Sequence, residues 1–245
     1  MAAPAPAAVP TAAAAAPKPP PRDATPLRHE LRAACAGDVA ALASLSAAAL
    51  DYNPAFDSVF ALRRDDPAAH AAALRWLLER RIALLLRAQA HDVVAVDAES
   101  GALLGGAAVV RRARKAGLWD MLQVGLLEWP FRFGFASLQR ALALDALAPE
   151  DPPGAPPFEG LVSTVAVAPH AQGRGVGSAL LRALLREWDA AGGGALALDT
   201  QRDINVPFYE RLGFTVTRAR SHVGAHGVPN DDWAMRREAQ HPAAA

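Results

Sequence analysis

The residue types best suited to chemistry in this chain are three closely spaced glycines, Gly173, Gly175 and Gly177, in the run HAQGRGVGSA. Glycine lets the backbone turn tightly and approach a ligand closely. A helix that begins directly after such a turn points unpaired N–H groups into it. Together these features seat a phosphate group; read alone, they also suit a tight helix cap with no ligand. A Walker A loop needs Gly-Lys-Ser/Thr, and no lysine lies near this turn, which argues against a nucleoside triphosphate. A dinucleotide fingerprint needs Gly-x-Gly-x-x-Gly. Ser178 stands where its third glycine belongs, although Asp199 lies near the position of a ribose-binding acid, so that reading is weakened but stays open.

The elements that must position this turn can be read from periodicity and punctuation. Leu161–Val167 alternates as a strand and is stopped by Pro169. Ser178–Ala191 repeats apolar residues at helical spacing, with Leu180, Leu181, Leu184, Leu185 and Trp188 on one side, and Gly192–Gly194 ends it. Ala195–Thr200 is a further strand, Val206–Leu212 a short helix stopped by Gly213, and Phe214–Arg218 another strand. The His222–Asn230 loop then leads to a closing strand, Trp233–Arg236. Upstream, Leu27–Ala33 reads as a strand and Asp38 as the cap of a helix to about Leu50. Asp51–Asp66 reads as a connector carrying Tyr52, Phe56 and Phe60. A helix from Pro67 to Arg87 has its leucines inward and its arginines outward. Val93–Asp97 and Ala102–Val110 are consecutive strands, and Trp129–Leu147 is a less regular helix ended by the proline-rich stretch Pro149–Pro157. Alternating strands and helices define one layered α/β domain.

Composition narrows the function classes. The chain has 245 residues, 52% hydrophobic and 20% charged, with zero formal net charge. Such a balance gives no long-range attraction for nucleic acid or an anionic membrane. Arg111, Arg112, Arg114 and Lys115 form a local basic cluster, read as a solvated face or a contact for a phosphate. One cysteine, Cys35, excludes an internal disulfide framework and reads as a small hydrophobe. Seven histidines show no ligand-like spacing, so no metal is expected. Residues 1–24, almost wholly Ala and Pro, read as a disordered tail and a poor secretory signal. Trp119–Phe135 is the most lipophilic stretch; Asp120, Glu128 and Arg132 interrupt it, so it reads as core or pocket lining and no membrane span is expected.

The segment LVSTVAVAPHAQGRGVGSALL resembles the acyl-CoA-binding segment of the Gcn5-related N-acetyltransferase (GNAT) superfamily. That family's pyrophosphate-loop pattern, Gln/Arg-x-x-Gly-x-Gly/Ala, is met by Gln172, Gly175 and Gly177. NVPFYERLGF is similar to its second signature, met by Asn205, Tyr209 and Gly213-Phe214. LLEWPFRFGFASLQRAL and the closing DDWAMRR resemble the puromycin-acetyltransferase-like branch, through apolar patterning. The resemblance extends over about Leu27–Arg237 and is diffuse before Leu161.

The resemblance implies a mixed sheet flanked by helices, with splayed central strands, and acetyl-CoA as cosubstrate without a metal. It implies that Val165, Ala166 and Val167 meet the pantetheine arm through their backbone. Gln172, Gly173, Arg174, Gly175, Val176, Gly177 and Ser178 would hold the pyrophosphate, with charge from Arg174. Asn205 would touch the cofactor or support the loop carrying Tyr209, which would protonate the departing sulfur. The N–H of Val167 is the implied donor to the oxyanion. The base is not implied: Glu159 and Asp199 are the carboxylates near the strand, and a solvent path is the alternative. By itself Tyr209 reads as a buried aromatic anchor. Phe56, Phe60, Trp129, Phe131, Phe133 and Phe135 line the acceptor pocket or fill the core.

The resulting expectation is an N-acetyltransferase domain over residues 25–238, with residues 239–245 as a disordered tail. It would be cytoplasmic, a monomer or homodimer, and would transfer acetyl to a small-molecule amine, without nucleic acid or membrane partners. A protein amine as acceptor and a non-catalytic acyl-CoA-binding module are the alternatives.

Overall fold

A computed structural model describes residues 27–51, 53–61, 66–114, 117–145, 149–223 and 229–240. The Ala/Pro-rich segment 1–24, Tyr52, Lys115 and residues 241–245 lie outside the described residues.

Seven strands form one sheet: β1 His29–Ala33, β2 His91–Asp97, β3 Leu103–Arg111, β4 Gly160–Val167, β5 Leu196–Thr200, β6 Thr215–Val223 and β7 Pro229–Arg237. Their spatial order is β1-β2-β3-β4-β5-β7-β6. Every pairing is antiparallel except β4 with β5. The helices are α1 Val39–Leu50, α2 Pro54–Phe60, α3 Pro67–Arg87, α4 Leu118–Gln123, α5 Trp129–Asp145, α6 Val176–Ala190 and α7 Val206–Glu210. Periodicity predicts the alternating strands and helices, and the mixed sheet flanked by helices is the one that the family resemblance implies.

Alternation within the strands divides the core into two layers. Val93, Leu104 and Val109 face α6, where Leu180, Leu181, Leu184 and Trp188 are buried. Val94 faces the opposite way, among Leu42 of α1 and Leu74, Leu78 and Ile82 of α3. Burying such side chains on both faces contributes on the order of 1.5–3 kcal/mol each, and it holds the central strands rigid between two helical layers.

Several sequence readings are corrected. The Asp51–Asp66 connector contains α2, begun by Asn53, whose side chain accepts the Ala55 N–H at 2.9 Å, with Pro54 in the first turn. Asp38 does not cap α1 through its side chain. It closes the turn before it, accepting the Cys35 N–H at 2.8 Å and a bidentate Arg32 at 2.7 Å. Cys35 is exposed rather than packed as a hydrophobe. The closing strands are longer than expected, because His222 pairs with Asn230 and Val223 with Pro229, shortening the intervening loop. The lipophilic stretch is also split. Trp129 is buried against Phe60, Trp76 and Phe133, whereas Trp119 is 67% and Phe131 86% exposed. Gly134, at φ 79°, breaks the helical path of α5, so the aromatic residues on either side do not share one buried face.

Candidate functional site

The central geometric event is the parting of β4 from β5. The two strands pair only at Gly160↔Leu196 and Leu161↔Ala197. Beyond those residues β4 carries a bulge: Ser163 pairs with Ala108 and Ala166 with Gly106, leaving Thr164 and Val165 opposite Ala107 alone. Thr164 sits at φ 52°, a left-handed conformation that costs a non-glycine residue about 1–3 kcal/mol. On its other edge β4 stays tightly seated on β3. A Cβ at Gly105 would meet the Ala166 carbonyl oxygen at 2.6 Å, so only glycine allows that approach.

The opened edge of β4 exposes backbone groups. The Ala168 N–H donates to Leu104 O of β3 at 2.8 Å, so strand alternation turns the Val167 N–H and carbonyl away from β3 toward the gap. Gln172 Nε2 donates to that Val167 carbonyl at 3.1 Å. Gln172 therefore ties the end of β4 to the glycine turn through its side chain. Gly173 and Gly175 have φ of 72° and 89°, and Gly175 is the residue from which α6 starts. Their left-handed conformations turn successive N–H groups of the loop and the first helical turn toward one concavity.

That concavity is a cavity of about 450 Å³. Val165, Ala166, Val167, Gln172, Gly173, Gly175, Gly177, Ser178 and Asn205 all line it. Three expected cofactor-site residues do not. Tyr209 lines a neighbouring cavity. Val176 is fully buried in the α6 layer, and Arg174 lies near Asp97, whose pKa is lowered chiefly by hydrogen bonds from Ser100 and least by the Arg174 charge. Cations that sequence reasoning missed, Arg202 and Arg211, line the cavity instead, on either side of the Asn205–Tyr209 signature. The Arg111–Arg114 group is engaged elsewhere. Arg111 lies over Trp188 at 4.6 Å, Arg112 pairs with Asp151 at 2.5 Å, and Arg114 bonds Gln89 at 2.6 Å.

A second cavity of about 330 Å³ adjoins the first. Leu50, Asn53, Val165, Thr200, Gln201 and Asn205 border both. Phe56, Val59, Leu77, Leu78 and Trp129 form apolar walls of the second, while Phe131 and Phe135 are exposed outside it. Its polar side holds Tyr209, Asp199, Asp232, Arg81, Ser163 and Thr164. Asn205 Nδ2 donates to Thr200 Oγ1 at 3.0 Å, fixing the start of α7 to the end of β5 and so placing Tyr209. Tyr209 is 8% exposed and packs edge-on against Phe208 and Phe214. Burial, and secondarily the nearby Asp199 charge, raise its phenol well above the ordinary tyrosine range.

Asp199 belongs to a network spanning distant parts of the chain. Asn53 Nδ2 donates to Gln201 Oε1 at 3.1 Å, and Gln201 Nε2 donates to Asp199 at 2.7 Å and to Asp232 at 3.2 Å. Asp232 also accepts from Arg220 Nε at 3.1 Å and pairs with its Nη2 at 3.0 Å. Asp199 opens to the cavity yet is walled in by protein on its other sides. That desolvation raises its pKa above the carboxylate norm, opposed by the Gln201 hydrogen bond and the Arg81 charge and reinforced by Asp232. Glu159 lies outside both cavities at the paired end of β4, where it accepts the Gly194 N–H at 3.2 Å and lies 3.8 Å from Arg111. Among the described residues, no group of three or more His, Cys, Asp or Glu could hold a metal ion, and no helix is long and apolar enough to cross a membrane.

Known proteins are similar to this chain in sequence over part of its length and in fold. The family model of the acetyltransferase (GNAT) domain matches residues 133–216, which include the glycine turn and Tyr209. N-alpha-acetyltransferase RimI of Mycobacterium tuberculosis (strain ATCC 25618 / H37Rv) is 40% identical over 90 residues, 36% of this chain and 54% of RimI. The chain thus spans about half or less of the length of the curated relatives it matches. Among solved structures, histone acetyltransferase HPA2 and related acetyltransferase of Corynebacterium glutamicum ATCC 13032 aligns with TM-score 0.58 at 24% identity, covering 88% of this chain and 98% of that one. The yncA structure of Salmonella typhimurium, solved with its cofactor acetyl-CoA, aligns with TM-score 0.51 at 19% identity, covering 89% and 98%. At these identities the structural likeness is one of fold.

Proposed function

We infer that this chain, a member of the GNAT superfamily, transfers the acetyl group of acetyl-CoA to an amine. One observation carries the reading: a glycine-lined cavity along the open edge of β4 meets, at Val165 and Asn205, a second cavity holding a phenol and a carboxylate. The residues of the first cavity fit acyl-CoA. The N–H groups of the glycine turn suit a pyrophosphate, and a Cβ at Gly175 would meet nothing within 4 Å, so the wall there is open. Arg202 and Arg211 add positive charge. Acetyl-CoA supplies an acyl carbon activated by a sulfur leaving group.

The chain's residues divide the remaining work. Asp199 takes the proton from the acceptor amine, freeing its lone pair, and Gln201 keeps the carboxylate oriented. Val167 lines the first cavity and not the second, so its backbone suits the pantetheine arm. The backbone at Val165, which borders both cavities, is better placed than Val167 to meet the carbonyl oxygen. Tyr209 donates to the sulfur. Holding both substrates at this junction supplies much of the rate by orientation alone. The walled second cavity, at the small end of the roughly 300–1,000 Å³ usual for ligand pockets, supports a small-molecule amine. A protein α-amine is the second reading, favoured by the similarity to RimI.

The test is release of free CoA from acetyl-CoA with an amine panel, alongside calorimetric acetyl-CoA binding. Gly175→Ala forces an L-residue into φ 89°, at a cost of roughly 1–2 kcal/mol, and adds a methyl group at the cavity wall. The expected result is acetyl-CoA binding weakened by about 10-fold or more in a folded protein. Unaltered binding refutes the phosphate seat, and absence of CoA release with every amine refutes the transferase reading.

A further inference from the structure

We propose that the acceptor is an amine that also carries a carboxylate, an amino acid with an apolar side chain, and that Arg81 is the residue that selects it. The proposal rests on the acetyltransferase reading above and names the substrate class of its second cavity.

Arg81 is exposed, as the periodicity of α3 predicts for its arginines, and it also lines the second cavity. Among the described residues its one hydrogen bond runs from Nη2 to the neutral Ser163 Oγ at 3.0 Å, and it forms no ion pair there. A guanidinium has five N–H donors in a planar fork, so most of Arg81's donors are left for a ligand. The other charged groups of the cavity are differently engaged. Asp232 is held by Gln201 and Arg220, whereas Asp199, which accepts from the Gln201 side chain, is the carboxylate more open to a ligand.

The cavity therefore presents one cation and one anion, each with unused bonding capacity, beside apolar walls formed by Phe56, Leu77, Leu78 and Trp129. A simple amine would meet Asp199 and leave the remaining N–H donors of Arg81 unused by the ligand. An amino acid satisfies both. Its ammonium meets Asp199, which then takes one proton so that the neutral amine can attack. Its carboxylate accepts a bidentate pair of hydrogen bonds from Arg81. Its side chain takes the apolar space. A protein N-terminus has no carboxylate next to its amine, so the same geometry disfavours it.

The experiment compares matched acceptors on the full chain: leucine, phenylalanine and tryptophan against their amides and their decarboxylated amines. CoA release gives kcat and KM, and calorimetry gives acetyl-CoA affinity. The expected preference for the free carboxylate is about 10- to 100-fold in kcat/KM, as for a charge-assisted bidentate contact. Arg81→Met should remove that preference, chiefly by raising the acceptor KM, with acetyl-CoA affinity and melting temperature retained. Arg81→Lys should recover part of it. Equal turnover of carboxylate and decarboxylated partners, a preference that survives Arg81→Met, or acetyl-CoA binding without turnover of any carboxylate-bearing amine overturns the proposal. Loss of acetyl-CoA binding itself, or no turnover of any amine, instead strikes the underlying transferase reading.

Discussion

Removing the hydroxyl of Tyr209 tests the leaving-group step with little structural disturbance. The ring is anchored against Phe208 and Phe214, and Tyr209→Phe keeps both edge-on contacts. The size of the effect follows from the acidity of the phenol. An ordinary thiol loses its proton near 8.5 and an ordinary tyrosine near 10. Burial and Asp199 push Tyr209 higher still. Full proton transfer to the departing sulfur is therefore uphill in the free groups by more than about 1.5 pKa units, or about 2 kcal/mol. Tyr209 contributes mainly through a charge-assisted hydrogen bond that strengthens as sulfur gains charge, about 1.5–3 kcal/mol. That converts to a fall in kcat of roughly 10- to 150-fold, less than the largest general-acid effects. Continuous detection of free CoA thiol gives kcat, calorimetry gives acetyl-CoA affinity, and a thermal melt checks the fold. Turnover unchanged in a folded Tyr209→Phe protein refutes the assignment. A loss of acetyl-CoA affinity equal to the whole loss in kcat/KM reduces Tyr209 to a shaper of the cavity.

Two further outcomes follow from the carboxylates. Asp199 must be ionised to accept a proton, and its pKa is raised by burial and by Asp232. The rate should therefore climb with pH through a limb displaced above the carboxylate norm. Asp199→Asn should abolish that limb and lower kcat/KM by about 100-fold or more, whereas Glu159→Ala, remote from both cavities, should leave the pH–rate profile in place. Asp92 concerns stability: burial raises its pKa from 3.8 to about 6. The folded chain thus binds the proton more tightly than the unfolded chain, and stability falls as pH rises between those values. Allowing for its partial exposure, Asp92→Asn should stabilise the protein by about 1–2 kcal/mol at pH 8 and by little at pH 4, as thermal melts at the two values would show. A stabilisation independent of pH rules out this origin.

What the sequence discloses follows the range of the interactions that set each feature. The glycine turn was readable because its determinants are adjacent: apolar alternation, Pro169, three glycines and an amphipathic repeat lie within about thirty residues. The start of α2 carried a local signal too, Asn53 followed by Pro54, but the polar residues around it masked a helix of two turns. The exposure of Trp119 and Phe131 carried no such signal, since hydrophobicity alone does not say whether a partner surface exists. The parting of β4 from β5 was implied by the family resemblance and not by periodicity, because it depends on where pairing stops and on a threonine accepting φ 52°.

The second cavity shows why donor and acceptor sites differ in legibility. Asn53 meets Gln201 across 148 residues of chain, and Arg81 meets Ser163 across 82. Nothing near Arg81 distinguishes it from its neighbours: Arg80, one residue earlier, lies over the Trp76 ring at 4.1 Å. A helix advances about 100° per residue, so adjacent arginines point to different surroundings, and only the packing of α3 against the parted strand turns one of them into the cavity. A phosphate can be held by backbone N–H groups, whose placement a local motif dictates. An acceptor must be told from other amines by side chains, and those converge only after the sheet and both helical layers have assembled. The loop motif therefore specifies the donor, whereas acceptor selection rests on the tertiary placement of single residues such as Arg81 and Asp199.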